Sequence, residues 1–245
     1  MKLHVVHSGS KGNCYILQAK NCSLVLELGV TFNQIMRALD YNYMNVSALC
    51  SHLHNDHAFC LCAAIANGID VYATKGTHEA KGTLGRGRAK VIKAGTYYDI
   101  DEFRVLPFES VHDGLDAVNF LIFHPECGNV LFVTDTHYIP YNFESLNQII
   151  IETNFCEDII DQKLDNGSIN YNLRERILNS HHSIQAATEF LQRNNTSAVR
   201  NIVLIHLSDS NSDAAGFKQK IETLTGKPVF VADKDQTIDF NLTPF

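Results

Sequence analysis

Residues 51–59 read SHLHNDHAF, which puts His52, His54, Asp56 and His57 within six positions. Imidazoles and carboxylates are the side chains that hold divalent cations such as zinc. If ALCSHLH is extended, His52 and His54 lie two apart and project to the same side. Asp56 and His57 then open the next helix, where the turning chain can return them to the same cavity. Two adjacent imidazoles suit one borderline-soft cation, and a carboxylate with another imidazole suits a second. The bland alternative is a hydrated polar loop carrying chance histidines. With 12 histidines in 245 residues, the order H-x-H-x-D-H argues against accident.

A two-ion site needs more ligands and a carboxylate to bridge the ions. Three candidates stand at the ends of expected strands: His112 after RVLPFESV, Asp135 after NVLFVT and His206 after NIVLI. An ionisable group at the end of an apolar strand, facing a mouth, is where sheet enzymes keep their chemistry. Any one of them alone reads as structural; following the cluster in the order His, Asp, His, they read as ligands.

The elements that must position these residues follow from periodicity. KLHVVH, NCYILQA and SLVLEL alternate or run apolar, with turn signals at 9–13 and 20–21. Apolar residues at 32, 35, 36 and 39 predict a helix after Thr31, a candidate N-cap. NVSALCS is a short buried strand ending at the cluster. From 57 to 66, AFCLCAAIA predicts a helix that is apolar nearly all round, stopped by Gly68. DVYAT is a strand, the polar and glycine-rich 75–90 a loop or frayed helix, and strands follow near 90–93, 103–111, 117–124 and 129–134. NQIIIE opens a second half with helices at FCEDIID, NYNLRERIL and SIQAATEFLQRN, then the strand RNIVLIHL, the helix DAAGFKQKIETL and two terminal strands. Strands followed by mixed β/α elements, in each half, imply two packed sheets with helices outside, an α/β fold. No low-complexity tract or linker divides the chain, so residues 1–245 read as one domain.

Composition limits the partners. Formal net charge is −7 and no basic run exceeds two residues, which disfavours a long polyanionic nucleic acid as substrate. The N-terminal MKLHVVHSGSKGN lacks an apolar signal-peptide core, and no apolar stretch approaches the ~20 residues a bilayer span requires. Seven cysteines without a paired framework point to reduced thiols and a cytoplasmic location. Cys60 and Cys62, two apart on a helix, point away from each other.

H-x-H-x-D-H followed by single His, Asp and His resembles the metallo-β-lactamase superfamily over essentially the whole chain. The resemblance implies a four-layer αββα sandwich with two divalent metal ions, zinc or manganese, at one edge between the sheets. His52, His54 and His112 would hold one ion, Asp56, His57 and His206 the other, and Asp135 would bridge them. Glu27 in LVLELG stands where the superfamily commonly has an Asp that supports the site from behind. Within the superfamily HSGSKGNCY (7–15), VTDTHY (133–138), IIIETNF (149–155), NSHHSIQAATEFL (179–191) and LIHLSDSN (204–211) look like the small phosphodiesterase and nuclease branch. That branch includes WalJ-like proteins and phage anti-Pycsar proteins, which hydrolyse cyclic mononucleotides used as antiviral signals.

The resemblance implies a phosphodiesterase that converts 3′,5′-cyclic mononucleotides to 5′-monophosphates. Two ions about 3.5–4 Å apart would lower the pKa of a bridging water, which Asp56 could orient or deprotonate. His181 matches a histidine that assists at the phosphate; His182 is its neighbouring rival, and the following Gln185-Ala186-Ala187 favours His181. GSKGN (9–13) lacks the spacing and helix of a phosphate loop and reads as a hairpin turn, though by resemblance Asn13 lies near enough to touch substrate. Arg86 and Arg88 are either phosphate contacts or part of a solvated loop. Small phosphodiesterases of the superfamily commonly pair, so a homodimer is expected, with 75–90 or HYIPYNF (137–143) as candidate lids. A DNA or RNA nuclease, a nucleotide-sequestering protein, and a β-lactamase or thioesterase are the competing readings, since fold does not fix chemistry.

Overall fold

The computed structural model describes residues 1–112 and 116–243. In chain order the elements are β1 (Lys2–His7), β2 (Cys14–Gln18), β3 (Ser23–Leu26), α1 (Phe32–Ala38), β4 (Val46–Leu49), α2 (Asn55–Ala58), α3 (Leu61–Ala66), β5 (Asp70–Thr74), α4 (Lys75–Ala80), β6 (Ala89–Ile92), β7 (Tyr98–Ile100), β8 (Phe103–Glu109), β9 (Val118–His124), β10 (Gly128–Val133), β11 (Leu146–Glu152), α5 (Glu157–Asp165), α6 (Tyr171–Ser180), α7 (Ile184–Arg193), β12 (Asn201–Ile205), α8 (Ala214–Thr225), β13 (Val229–Val231) and β14 (Gln236–Asp239). They form two seven-stranded sheets, ordered β14-β1-β2-β3-β4-β5-β6 and β13-β12-β11-β10-β9-β8-β7. In each sheet four neighbouring strands run parallel, β3, β4, β5 and β6 in one and β10, β11, β12 and β13 in the other, and the remaining neighbours pair antiparallel.

Both faces of each sheet are covered, which is why its strands run apolar rather than alternating. Leu3, Leu17, Leu24 and Leu26 of one sheet meet Phe120, Ile122, Phe132 and Ile150 of the other in a central core. The outer face of the first sheet, with Ile16, Val25 and Ala48, packs on Ile35, Leu61 and Ala64 of α1 and α3. The outer face of the second, with Ile149, Ile151 and Leu204, packs on Ala187, Phe190, Phe217 and Ile221 of α7 and α8. NQIIIE shows the division: Ile150 faces the other sheet while Ile149 and Ile151 face the helices. The expected αββα sandwich is therefore present. Among the described residues no helix is long and apolar enough to cross a membrane.

Local sequence signals account for several element boundaries. Thr31 caps α1, its N–H donating to Gln34 Oε1 (3.0 Å), and Ser183 caps α7 by accepting from the Ala186 N–H. The PECG turn joins β9 to β10, with Gly128 at φ 71°. All seven cysteines are free, Cys60 buried and Cys62 exposed.

One reading needs correction. Residues 57–66 are not one helix. The Leu28 backbone inserts after α2, donating to the His57 carbonyl (2.7 Å) and accepting from the Cys60 N–H (2.9 Å). The chain restarts as α3 and leaves Phe59 turned to solvent, 61% exposed. Of the two alternatives for 75–90, a helix forms at its start, Lys75–Ala80, with His78 buried against Thr83 Oγ1 (2.9 Å).

GSKGN is the hairpin turn between antiparallel β1 and β2, and it has a further task. Asn13 N–H donates to the Asp56 carbonyl (2.7 Å), and Ser8 Oγ accepts from the His206 N–H (2.9 Å). The turn thus clamps two separate stretches of the candidate site. The approach is so close that only glycine fits: a Cβ on Gly29 would lie 1.7 Å from the Asp56 carbonyl oxygen. Gly29→Ala must therefore push the turn and α2 apart. Overpacking of this kind costs about 1–3 kcal/mol or more, and a chain this size loses about 2–4 °C of Tm per kcal/mol. Thermal unfolding should show a clearly lowered Tm; an unchanged Tm would mean the contact is dispensable.

Candidate metal centre

The candidate ligands gather at the one edge where strands of both sheets end. His52 follows β4, His112 follows β8, Asp135 follows β10 and His206 follows β12, while His54 is the N-cap of α2 and Asp56 and His57 lie in its single turn. Asp135 (φ 39°) and His206 (φ 54°) adopt left-handed backbone conformations, as does Glu27 (φ 68°) after β3. Such strain in non-glycine residues clusters at functional sites. Here it bends the chain sharply enough to aim each carboxylate or ring into the gap between the sheets.

The seven expected ligands fall into two of the four groups of side chains that could hold an ion among the described residues. His52, His54, His112 and Asp135 bring four ligand atoms together, and Asp56, His57 and His206 bring three. In the first, His54 Nδ1 lies 3.1 Å from His52 Nε2 and 3.2 Å from His112 Nε2. In the second, Asp56 Oδ2 lies 3.3 Å from His57 Nε2 and 3.4 Å from His206 Nε2. Asp135 Oδ2 joins them, 3.3 Å from His52 Nε2, 3.8 Å from His112 Nε2 and 3.2 Å from His57 Nε2. A tetrahedral zinc ion with bonds of about 2.0–2.1 Å separates its ligand atoms by about 3.3 Å. The observed spacings match that edge length, and so many nitrogens meeting at one point cannot all find protons to share.

The opposite nitrogens of the rings are held as ligation requires. His52 Nδ1 faces Ser51 Oγ (2.8 Å), His112 Nδ1 donates to the Ser180 carbonyl (2.8 Å), and His57 Nδ1 lies 3.3 Å from Glu27 Oε2. His206 Nδ1 lies 3.1 Å from Glu152 Oε1. Glu27 is fully buried and also accepts from the Ser51 N–H (3.2 Å). Burial pushes its carboxyl up, while His57 and Ser51 pull the other way. Burial, then the neighbouring His57, pushes His52 down to about 3. That keeps it neutral, as a ligand must be. At Asp56 burial opposes the charge, but His206 and His57 beside it hold the carboxyl below its usual range.

Glu152 was not anticipated. It ends β11 fully buried, with Oε1 accepting from His181 Nδ1 (2.8 Å) as well as facing His206, and Oε2 accepting from the His182 N–H (3.3 Å). The rule that found His112, Asp135 and His206, an ionisable residue closing an apolar strand, applies equally to NQIIIE. His181, the C-cap of α6, has a side chain 26% exposed, with Nδ1 also 3.4 Å from Asp135 Oδ1. Burial lowers its pKa, but the Glu152 and Asp135 carboxylates outweigh this and raise it to about 9.

A cleft of about 320 Å³ opens over the centre, lined by His54, Asp56, His112, Asp135, His181 and His206, with Arg176 of α6 at its side. Arg176 was not anticipated either. His182 is buried outside this lining, with its ring pushed down to about 4 by burial, so of the adjacent pair His181 faces the cleft. Asn13 has no exposed surface: its amide Nδ2 is 3.2 Å from His57 Nε2 and its Oδ1 accepts from the Gly9 N–H and the Tyr15 hydroxyl, so it braces the site instead of meeting a substrate. Arg88 pairs with Asp70 (2.9 Å) at the start of β5, the end of the sheet away from the centre. Neither Arg86 nor Arg88 is among the residues that line the cleft.

Two sandwiched sheets with a His/Asp-rich edge define a metallo-β-lactamase fold. The metallo-β-lactamase fold protein YhfI of Bacillus subtilis matches with a TM-score of 0.72 at 14% identity, over 97% of this chain and 98% of that one. Zn²⁺-bound PqqB of Methylobacterium extorquens matches with a TM-score of 0.70 at 12% identity, over 98% and 100%. In sequence the chain is 26% identical to the exodeoxyribonuclease WalJ of Streptococcus pneumoniae, across 86% of this chain and 83% of that one. No family model matches.

Glu152→Ala should lower zinc affinity by about 10–100-fold, the usual effect of removing a carboxylate behind a ligating histidine. Competition titration against a chromophoric chelator measures this, and unchanged affinity would show that Glu152 does not support His206.

Proposed function

We propose that the protein is a metal-dependent phosphodiesterase that opens 3′,5′-cyclic mononucleotides to nucleoside 5′-monophosphates. The observation that carries the reading is the pair of ligand sets sharing Asp135 Oδ2 beneath a small cleft flanked by His181 and Arg176. His52, His54 and His112 would hold one ion and Asp56, His57 and His206 the other, with Asp135 between. Zinc, preferred by imidazoles, or manganese would supply Lewis-acid polarisation of the phosphoryl oxygens and acidify water.

The remaining work falls to side chains. Asp56, partly exposed to the cleft, orients the attacking water and takes up its proton. Attack at phosphorus breaks the P–O3′ bond, and the departing oxygen needs a proton. His181 is placed to give it: Glu152 holds Nδ1, and Nε2 has no protein partner among the described residues. Arg176 brings a cation to the phosphate side of the cleft.

The cyclic substrate is favoured by the cleft's size and by a net charge of −7 without a basic run. Removal of cyclic-nucleotide antiviral signals would be the biological consequence. A second reading, a DNA or RNA nuclease using the same centre, is favoured by the likeness to an exodeoxyribonuclease. A homodimer accords with the exposed Tyr138, Tyr141, Tyr171 and Leu173 on and beside α6, and light scattering would detect it.

Zinc- or manganese-loaded protein should hydrolyse cyclic CMP, UMP, AMP or GMP and leave single-stranded DNA and RNA intact. Degraded oligonucleotides with every cyclic monophosphate surviving would overturn the cyclic reading in favour of the nuclease. His181→Ala should reduce kcat by about 10²–10⁴-fold with metal content unchanged; loss of metal would make His181 a ligand instead.

A further inference from the structure

A second hollow, of about 370 Å³, adjoins the metal cleft and shares Ser10, Asn55 and Asp56 with it as a common wall. Its other surfaces come from the β1–β2 turn, from the start of α1 and from the break between α2 and α3. We infer that this hollow is a nucleobase subsite, with Phe59 as the stacking face and His7, Lys11 and Gln34 as its polar edge. The inference rests on the reading that a nucleoside phosphate brings its phosphate to the metal centre.

An exposed apolar ring alone means little. Phe59, however, lies two residues beyond His57, and the interruption by Leu28 holds it out to solvent where an uninterrupted apolar helix would bury it. Its neighbours have hydrogen-bonding capacity to spare. Gln34 Oε1 accepts from both the N–H and the hydroxyl of Thr31, which leaves its amide donors without a protein partner among the described residues. His7 donates from Nδ1 to the Gly12 carbonyl (2.6 Å), which leaves Nε2 as an acceptor. Lys11 is exposed on the same turn with no ion pair among the described residues. One aromatic face with a few separated donors and an acceptor is how proteins hold a base: stacking supplies affinity, and the polar edge discriminates. Because Asp56 belongs to both the hollow and the second ligand set, a phosphate at the ions lies beside the hollow.

Calorimetry on zinc-loaded protein tests this, with 5′-CMP and 5′-AMP compared against inorganic phosphate. Stacking on an aromatic ring is worth about tenfold or more in affinity, so the wild type should bind the mononucleotides at least about tenfold tighter than phosphate. Phe59→Ala should reduce that advantage to within about twofold while phosphate binds as before, and Phe59→Tyr should retain it. A mononucleotide that binds no tighter than phosphate to the wild type, or an advantage that survives in Phe59→Ala, overturns the subsite. The two proposals fail separately. If cyclic nucleotides are not hydrolysed but Phe59→Ala still abolishes the mononucleotide advantage, the subsite stands and the cyclic reading falls. If they are hydrolysed and Phe59→Ala changes nothing, the subsite falls alone.

Discussion

One oxygen of Asp135 meets three imidazole nitrogens, from His52, His57 and His112, at 3.2–3.8 Å. The other oxygen lies 2.8 Å from His206 Nδ1. A buried carboxylate among buried rings is costly unless charge is balanced and every nitrogen has a partner. The opposite ring nitrogens face Ser51, the Ser180 carbonyl, Glu27 and Glu152, so the inward ones crowd against each other and the carboxylates, with the Asn13 amide beside His57. Bound cations would resolve this by balancing the carboxylates and using the lone pairs that face inward.

The fold exists around that constraint. In both sheets the strands that deliver site residues run the same way, and their C-terminal ends meet at one edge, where open α/β sheets bind ligands. Left-handed turns at Glu27, Asp135 and His206 convert the ends of rigid strands into inward-pointing side chains. The β1–β2 hairpin fixes the two halves of the site to each other, holding α2 through Asn13 and the His206 loop through Ser8. The same close approach of backbone leaves Phe59 outside and shapes the hollow beside the candidate metal centre.

Much of this was legible in the sequence because it depended on local spacing. H-x-H on an extended segment followed by D-H on a helical turn brings four side chains together whatever the remainder does. His112, Asp135 and His206 were visible as ionisable residues closing apolar strands, and alternating or buried runs announced the two sheets. Glu152 gave the same signal but was hidden by its residue type, since a glutamate ending a strand usually meets solvent. Arg176 gave no signal, because its place at the cleft depends on how α6 packs. Asn13 was expected at the substrate because its turn lies close to the site. Closeness here means a zero-gap contact of backbones, which buries the side chain. The break at Phe59 was invisible because its cause, Leu28, lies about thirty residues away in sequence.

The central claim is a dinuclear centre bridged by Asp135. Anomalous diffraction at the zinc edge from crystals of the zinc-loaded protein tests it most directly. Two peaks about 3.5–4 Å apart, one among His52, His54 and His112 and the other among Asp56, His57 and His206, with Asp135 touching both, are predicted. A single ion, or two ions with Asp135 bound to neither, would contradict it.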